Sequence, residues 1–180
     1  MHELSRFSPA ATMSRHERTV AIDAELIRKK SEDAAANPRK REVHFLHRNT
    51  SEPLQRMLNA VQLQSYIRPH RHVQPGKAES VVLLSGALAF ATFNDDGSLS
   101  LSDSVYLHAG GALAVDCREG VWHTFFAVEP NTVVFEVKAG PHDAATDKEF
   151  APWAPEEGSL EAQAYLALLM KTFLDGKMGA

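Results

Sequence analysis

A single cysteine, Cys117, stands in the 180 residues. It excludes an internal disulfide and a zinc site built on thiolates alone. Long apolar runs are missing as well, and none approaches the ~20 residues needed to cross a bilayer. Met1 to Arg18 is polar with scattered apolar residues and lacks a charged-then-apolar leader, so the expectation is a cytoplasmic protein with no membrane partner. Positive charge is in short supply: 19 Lys and Arg against 23 Asp and Glu give a net charge of −4. The resulting pI of about 6.1 argues against a nucleic-acid partner. What is present is an ordinary globular composition, 44% hydrophobic and 23% charged, which argues against a wholly disordered chain.

The charge is uneven. Residues 1–41 hold nine basic and six acidic side chains, leaving a balance of −7 for the rest. Arg39-Lys40-Arg41 is either a solvated cluster after a helix or an anion-facing rim. Residues 1–18 lack periodicity and are expected to form a flexible arm. From residue 19 to 180 the pattern predicts one domain in three parts: a helical extension over 19–41, a barrel over 42–138, and a wrapping loop with a terminal helix over 139–180. In the first part Val20-Ala21-Ile22 resembles a short strand, Asp23 can cap a helix from Ala24 to Ala36, and Pro38 stops it. In the second, about nine short runs rich in Val, Leu, Phe and Thr are separated by turns, among them Asn94-Asp95-Asp96-Gly97. That spacing predicts a mainly β sandwich or barrel. Ser65 to His72 is one of these expected strands. The third part opens with a proline-punctuated connection from Gly140 to Pro155. A helix of roughly Leu160 to Leu174 follows, with Tyr165, Leu168, Leu169 and Phe173 on one face.

Nine histidines are more than usual, and three stand out by position. In Pro69-His70-Arg71-His72 the strand alternation puts His70 and His72 on one face, together with Arg68. Two imidazoles side by side are poor core filler but good chelators of a divalent metal. Past a Pro-Gly loop, Glu79 opens the next strand, where a carboxylate is reasonable if it meets a cation or stays at the rim. Later, in Gly120-Val121-Trp122-His123-Thr124-Phe125, His123 shares its face with Phe125 and Ala127 and points inward. Three imidazoles and one carboxylate form a mixed donor set suited to one divalent transition metal, iron, manganese, nickel or zinc.

His70-x-His72 followed by Glu79 and Gly86, and then Gly120-x-x-His123, resembles the two motif elements of the cupin superfamily. More narrowly, Pro69-His70-Arg71-His72, Lys77-x-Glu79, Gly120-Val121-Trp122-His123-Thr124, Val134 to Pro141, and Asp147 to Glu157 are similar to the WbuC-type cupin-fold metalloproteins over about Val20 to Leu169. The resemblance implies a single cupin barrel, a double-stranded β-helix or jelly roll, with flanking helices and a bound metal. It also implies a link to surface-polysaccharide (lipopolysaccharide O-antigen) synthesis. Two departures stand in the motifs: six residues separate His72 from Glu79, and Arg118 takes the place of a proline.

Around this site Arg68 is either an anion clamp for substrate or a rim salt bridge, and Lys77 either a substrate contact or a loop lysine. Glu136 and Tyr66 are the candidate acid/base groups; Glu136 is alternatively an exposed strand residue. Either His44 or His47 could reach the pocket. The expectation is a metal-dependent enzyme, an isomerase, epimerase or dioxygenase, acting on a small polar or sugar-derived ligand. The alternative is a non-catalytic metal- or ligand-binding module. A homodimer is expected, because an open barrel edge invites a second copy.

Overall fold

The structure, a computed structural model, describes residues 4–178. Two antiparallel strands come first, β1 (Leu4–Ser8) and β2 (Ala11–Ser14), followed by helix α1 (Ala24–Ala36). Nine strands then run from β3 (Arg41–Phe45) through β4 (Leu54–Val61), β5 (His70–Arg71), β6 (Glu79–Ser85), β7 (Leu88–Phe93), β8 (Leu99–Leu107), β9 (Ala114–Cys117), β10 (Trp122–Ala127) and β11 (Thr132–Ala139). The short β12 (Glu149–Phe150) and helix α2 (Leu160–Met178) complete the chain.

The strands form a seven-stranded sheet in the order β1-β2-β3-β4-β11-β6-β9 and a five-stranded sheet in the order β12-β5-β10-β7-β8. Counting the eight consecutive strands β4 to β11, the first sheet holds the first, eighth, third and sixth, and the second holds the second, seventh, fourth and fifth. That is the wrap of a jelly roll, so the expected mainly β, cupin-type architecture is present.

Alternation along the strands assigns every layer. Leu58, Ala60 and Val133 face outward and pack on Leu26 and Ala34 of α1. On the far side Ala89, Ala91, Trp122 and Phe126 face Ala162, Leu166, Leu169 and Phe173 of α2. Between the sheets lie Val61, Val81, Leu88, Phe90, Leu107, Phe125 and Val134. β7 and β10 are therefore buried along their whole length. The inward positions that continue these strands at one end are polar: Asn59 on β4, Glu79 on β6, His123 on β10, and Glu136 and Lys138 on β11, all buried. The fold places a polar chamber at one end of an apolar core.

The cap of α1 is as expected, with the Leu26 amide donating to Asp23 Oδ1 at 2.9 Å. Other expectations need correction. The described part of the expected flexible arm is a hairpin, and β2 pairs in parallel with β3 through Ala11, Thr12 and Met13; residues 1–3 lie outside the described residues. The hairpin is fastened by the buried Lys30, whose ammonium donates to Thr12 Oγ1 at 3.0 Å and Glu42 Oε1 at 2.9 Å. These are non-local contacts, which periodicity does not reveal. Residues 20–22 form no strand. The strand expected over Ser65 to His72 shrinks to His70–Arg71, as Pro69 has no amide hydrogen to give a ladder. On α2, Leu168 is 64% exposed, and Leu166 takes its place in the packed face.

Candidate metal centre

Register builds the centre. His70 on β5 is the direct pairing partner of His123 on β10, which brings the two rings to 4.7 Å between centroids, tilted by 58°. His72 follows on the same side, its ring 5.4 Å from that of His70 and 5.7 Å from that of His123. Gly120 fixes that third ring: it turns the chain with φ +82 and donates its amide to the His72 carbonyl at 2.7 Å. Phe90 lies flat against His123 at 5.4 Å and closes the apolar side. All three histidines are at least 97% buried.

The hydrogen bonds decide which nitrogen each ring offers. His70 Nδ1 meets the Arg68 carbonyl at 3.0 Å and His123 Nδ1 the Val121 carbonyl at 2.8 Å. His72 Nδ1 meets the carbonyl of Asp147. A carbonyl only accepts, so each Nδ1 carries a proton, and in the neutral ring each Nε2 presents a lone pair, the second-sphere arrangement of metal-binding histidines. The His72 and His123 Nε2 atoms are buried and have no hydrogen-bond partner. Glu79 Oε2 is 3.3 Å from the former and Glu79 Oε1 is 3.1 Å from the latter. Both contacts are within ionic range.

One ligand nitrogen from each of the three imidazoles lies within 4.8 Å of the others. Donors held at ~2.1 Å by a tetrahedral ion stand ~3.4 Å apart, so the three nitrogens are gathered close to coordination spacing and would draw in on binding an ion. The donor set therefore fits a divalent transition metal. With no ion between them, burial would raise the Glu79 pKa, but His123 and His72 hold it well below the usual carboxylate range. Burial acts on His123 in the opposite sense and is outweighed by Glu79, which pushes it up to about 10. Burial pushes His70 well down, and Lys148 adds to that.

A cavity of about 310 Å³ opens beside the centre, at the small end of the ~300–1,000 Å³ typical of ligand pockets. His70, Glu79 and Glu136 are on its wall, along with Asn59, Lys138, Lys148 and the apolar Ile67, Met57 and Phe125. Glu136 is buried and accepts from Asn59 Nδ2 at 2.6 Å. Burial, and then the Glu79 carboxylate, raise its pKa.

His72 and His123 stand behind this wall, and of the expected residues outside the metal-ligand set three are not on it either. Tyr66 turns its hydroxyl to the Pro155 carbonyl at 2.8 Å and its ring to Tyr165, and burial raises its pKa. The Arg68 guanidinium donates to the Ala151 carbonyl at 3.0 Å and lies over Phe150 at 5.6 Å. Lys77 is buried, held by the Pro141 carbonyl and by Asp147 Oδ1 at 3.0 Å. In each case the segment 139–157 wraps back and takes the polar group that strand alternation alone aimed at the pocket. His47 does line the cavity, with Nδ1 3.0 Å from the Arg56 amide; His44 is buried beside Thr12, 2.9 Å from its hydroxyl. Arg39 and Arg41 line the cavity edge and share Glu157, each at 2.6 Å.

Several residues of the site carried no role in the sequence reading. Asp147 accepts from Lys138 at 2.7 Å and lies 3.1 Å from His142 Nδ1, while its own carbonyl holds His72. Lys148 stands next to it. Both sit in a loop without periodicity, and only the pairing of β12 with β5 brings them to the histidines.

A family model described as a domain of unknown function (DUF6016) matches residues 22–105. No curated protein matches the sequence. Among solved structures, the chain is similar to the capsular polysaccharide assembling protein CapF from Staphylococcus aureus at 17% identity and a TM-score of 0.46, with 57% of this chain and 29% of that one covered. It thus spans less than a third of CapF. It is also similar to an L-ribose isomerase from Cellulomonas parahominis, at 16% identity and a TM-score of 0.48 over 63% of this chain and 70% of that one. A recombinant oxalate oxidase in complex with glycolate gives 17% identity and a TM-score of 0.49 over 79% and 77%. One fold hosts many chemistries, and likeness at this level leaves substrate and reaction to the side chains themselves.

Proposed function

We propose that the chain is a metal-dependent enzyme of the cupin kind that acts on a small polar or sugar-derived metabolite, with His70, His72, His123 and Glu79 as the metal ligands. The observation that carries this reading is the pair of buried, partnerless Nε2 atoms of His72 and His123 facing the Glu79 carboxylate. Burying such groups with nothing between them costs free energy that a bound cation would return. The resemblance to WbuC-type proteins supports the same ligand set and suggests a place in surface-polysaccharide synthesis, in a cytoplasmic homodimer.

A bound ion would supply Lewis acidity toward a substrate carbonyl or hydroxyl. The chain's own residues do the rest. His70 and Glu79 stand on the cavity wall, which favours an open coordination position over a closed structural site. Glu136, its pKa raised by burial, is poised to give or take a proton across the chamber, and Asn59 holds it in place. Isomerisation or epimerisation suits this pairing of a carboxylic acid with a metal-side pocket. Arg68, Lys77 and Tyr66 then serve the wrapping segment that closes the chamber.

The test is elemental analysis of untagged protein. One equivalent of a transition metal is expected in the wild type, with at least ~10-fold less in His70→Ala and His123→Ala variants that retain the β spectrum. A wild type that takes up no metal from solution would sink the reading.

A further inference from the structure

The cavity wall carries more positive charge than the metal centre explains. Its Lys and Arg side chains, among the described residues, are Arg39, Arg41, Lys138 and Lys148. Arg39 and Arg41 both pair with Glu157, each at 2.6 Å, and Lys138 pairs with Asp147 at 2.7 Å, so each of these three already has a carboxylate beside it. Lys148 has neither an ion pair nor a hydrogen bond among the described residues.

Its position follows from the register of β12. Phe150 pairs with His70 and Glu149 with Arg71, so the next step sets Lys148 opposite His72. Side chains opposite one another in an antiparallel pair share a face of the sheet. Lys148 thus joins His70, Glu79 and Glu136 on the cavity wall. Burial lowers its pKa and Lys138 adds to this, while Glu136 and Glu79 oppose both at a distance. An ammonium taken partly out of water without a partner is costly, and an incoming anion would relieve that cost.

Deepening the metal-site reading and resting on it for orientation, we infer that Lys148 is the anchor for the carboxylate of a small hydroxy acid bound between it and the His70–Glu79 edge of the centre. The pairing along the wall points to a single carboxylate group. Among the described residues of this wall Lys148 is the one Lys or Arg without an ion pair, and no helix N-terminus or unengaged arginine fork stands on the wall to receive a phosphate. Asn59 and Glu136 are placed to meet the hydroxyls of such a molecule.

Calorimetry on the full chain, untagged and saturated with Mn²⁺, tests this with lactate, D-gluconate, the neutral D-glucitol and a glucose phosphate as probes. At least one of the two carboxylates is expected to bind, and D-glucitol and the phosphate more weakly. Lys148→Met should weaken the bound carboxylate by ~10-fold or more, and Lys148→Arg should keep most of the affinity. Because Lys148→Met removes an unpaired charge, its melting temperature should not fall, and its metal content should equal that of the wild type. The inference is overturned if neither carboxylate binds the wild type, if Lys148→Met binds it equally well, or if the phosphate binds more tightly. Repeating the titration after chelator treatment separates the two readings. Lys148-dependent carboxylate binding in a protein that takes up no metal would defeat the centre and leave the anchor standing.

Discussion

A histidine becomes a ligand through its second nitrogen. His70, His72 and His123 each give Nδ1 to a backbone carbonyl, which fixes the tautomer and turns Nε2 toward the others. For His72 that carbonyl belongs to Asp147, whose carboxylate also gathers Lys77, Lys138 and His142. Burial works against ionising Asp147, but Lys138 and Lys77 outweigh it and hold the pKa below the ordinary range. A folded pKa below the unfolded one means the unfolded chain takes up the proton first as pH falls. The stabilisation is then complete above about pH 5 and drains away through about pH 4 and below. Asp147→Asn is expected to cost roughly 3 kcal/mol at neutral pH, as seen in urea unfolding midpoints. The gap to wild type should narrow as the pH is lowered from about 5 to about 3, and a gap independent of pH would rule the ion pairs out as its source.

At the scale of elements, the turns aim the side chains. Gly86 and Gly120 both stand in the left-handed region, at φ +74 and +82, but their surroundings differ. A Cβ on Gly86 would meet Thr132 Cα at 2.8 Å, whereas one on Gly120 would meet nothing within 4 Å. Gly86→Ala therefore adds a backbone clash to the conformational cost and should destabilise by about 3 kcal/mol, against about 1–2 kcal/mol for Gly120→Ala. Thermal unfolding of the two variants checks the order, and equal losses would mean that Thr132 yields freely. Both glycines were visible in the sequence as motif positions. The contact at Thr132 was not, since it comes from a strand 46 positions away in the chain.

The whole molecule is four layers deep, with α1, the seven-stranded sheet, the five-stranded sheet and α2 in that order. The polar chamber with the candidate metal centre lies between the sheets, and Phe173 of α2 is fully buried on the outer side, edge-on to Phe126 at 5.7 Å. Phe173→Ala should cost ~3–5 kcal/mol of stability. Metal content at saturation should nonetheless stay at the wild-type level, because Phe126 and His123 occupy opposite faces of β10. Loss of metal from a variant that is still folded would show that the outer layer shapes the site.

How much of this was legible follows from the range of each interaction. The cap and stop of α1, the run of short strands and the inward direction of His123 depend on neighbours within a few residues, and local pattern carries them. His70 and His72 were legible as a pair by the alternation of side chains along extended chain. The sequence by itself thus determined the strand-rich middle, the mainly β class and the imidazoles available for a centre. Tertiary structure alone decided that the first residues close a hairpin onto β3, that Tyr66, Arg68 and Lys77 turn to the wrapping segment, and that Asp147 and Lys148 reach the histidines. Those outcomes rest on pairings between segments dozens of residues apart, and a shift of one residue in any such register would carry the same side chains to the opposite face.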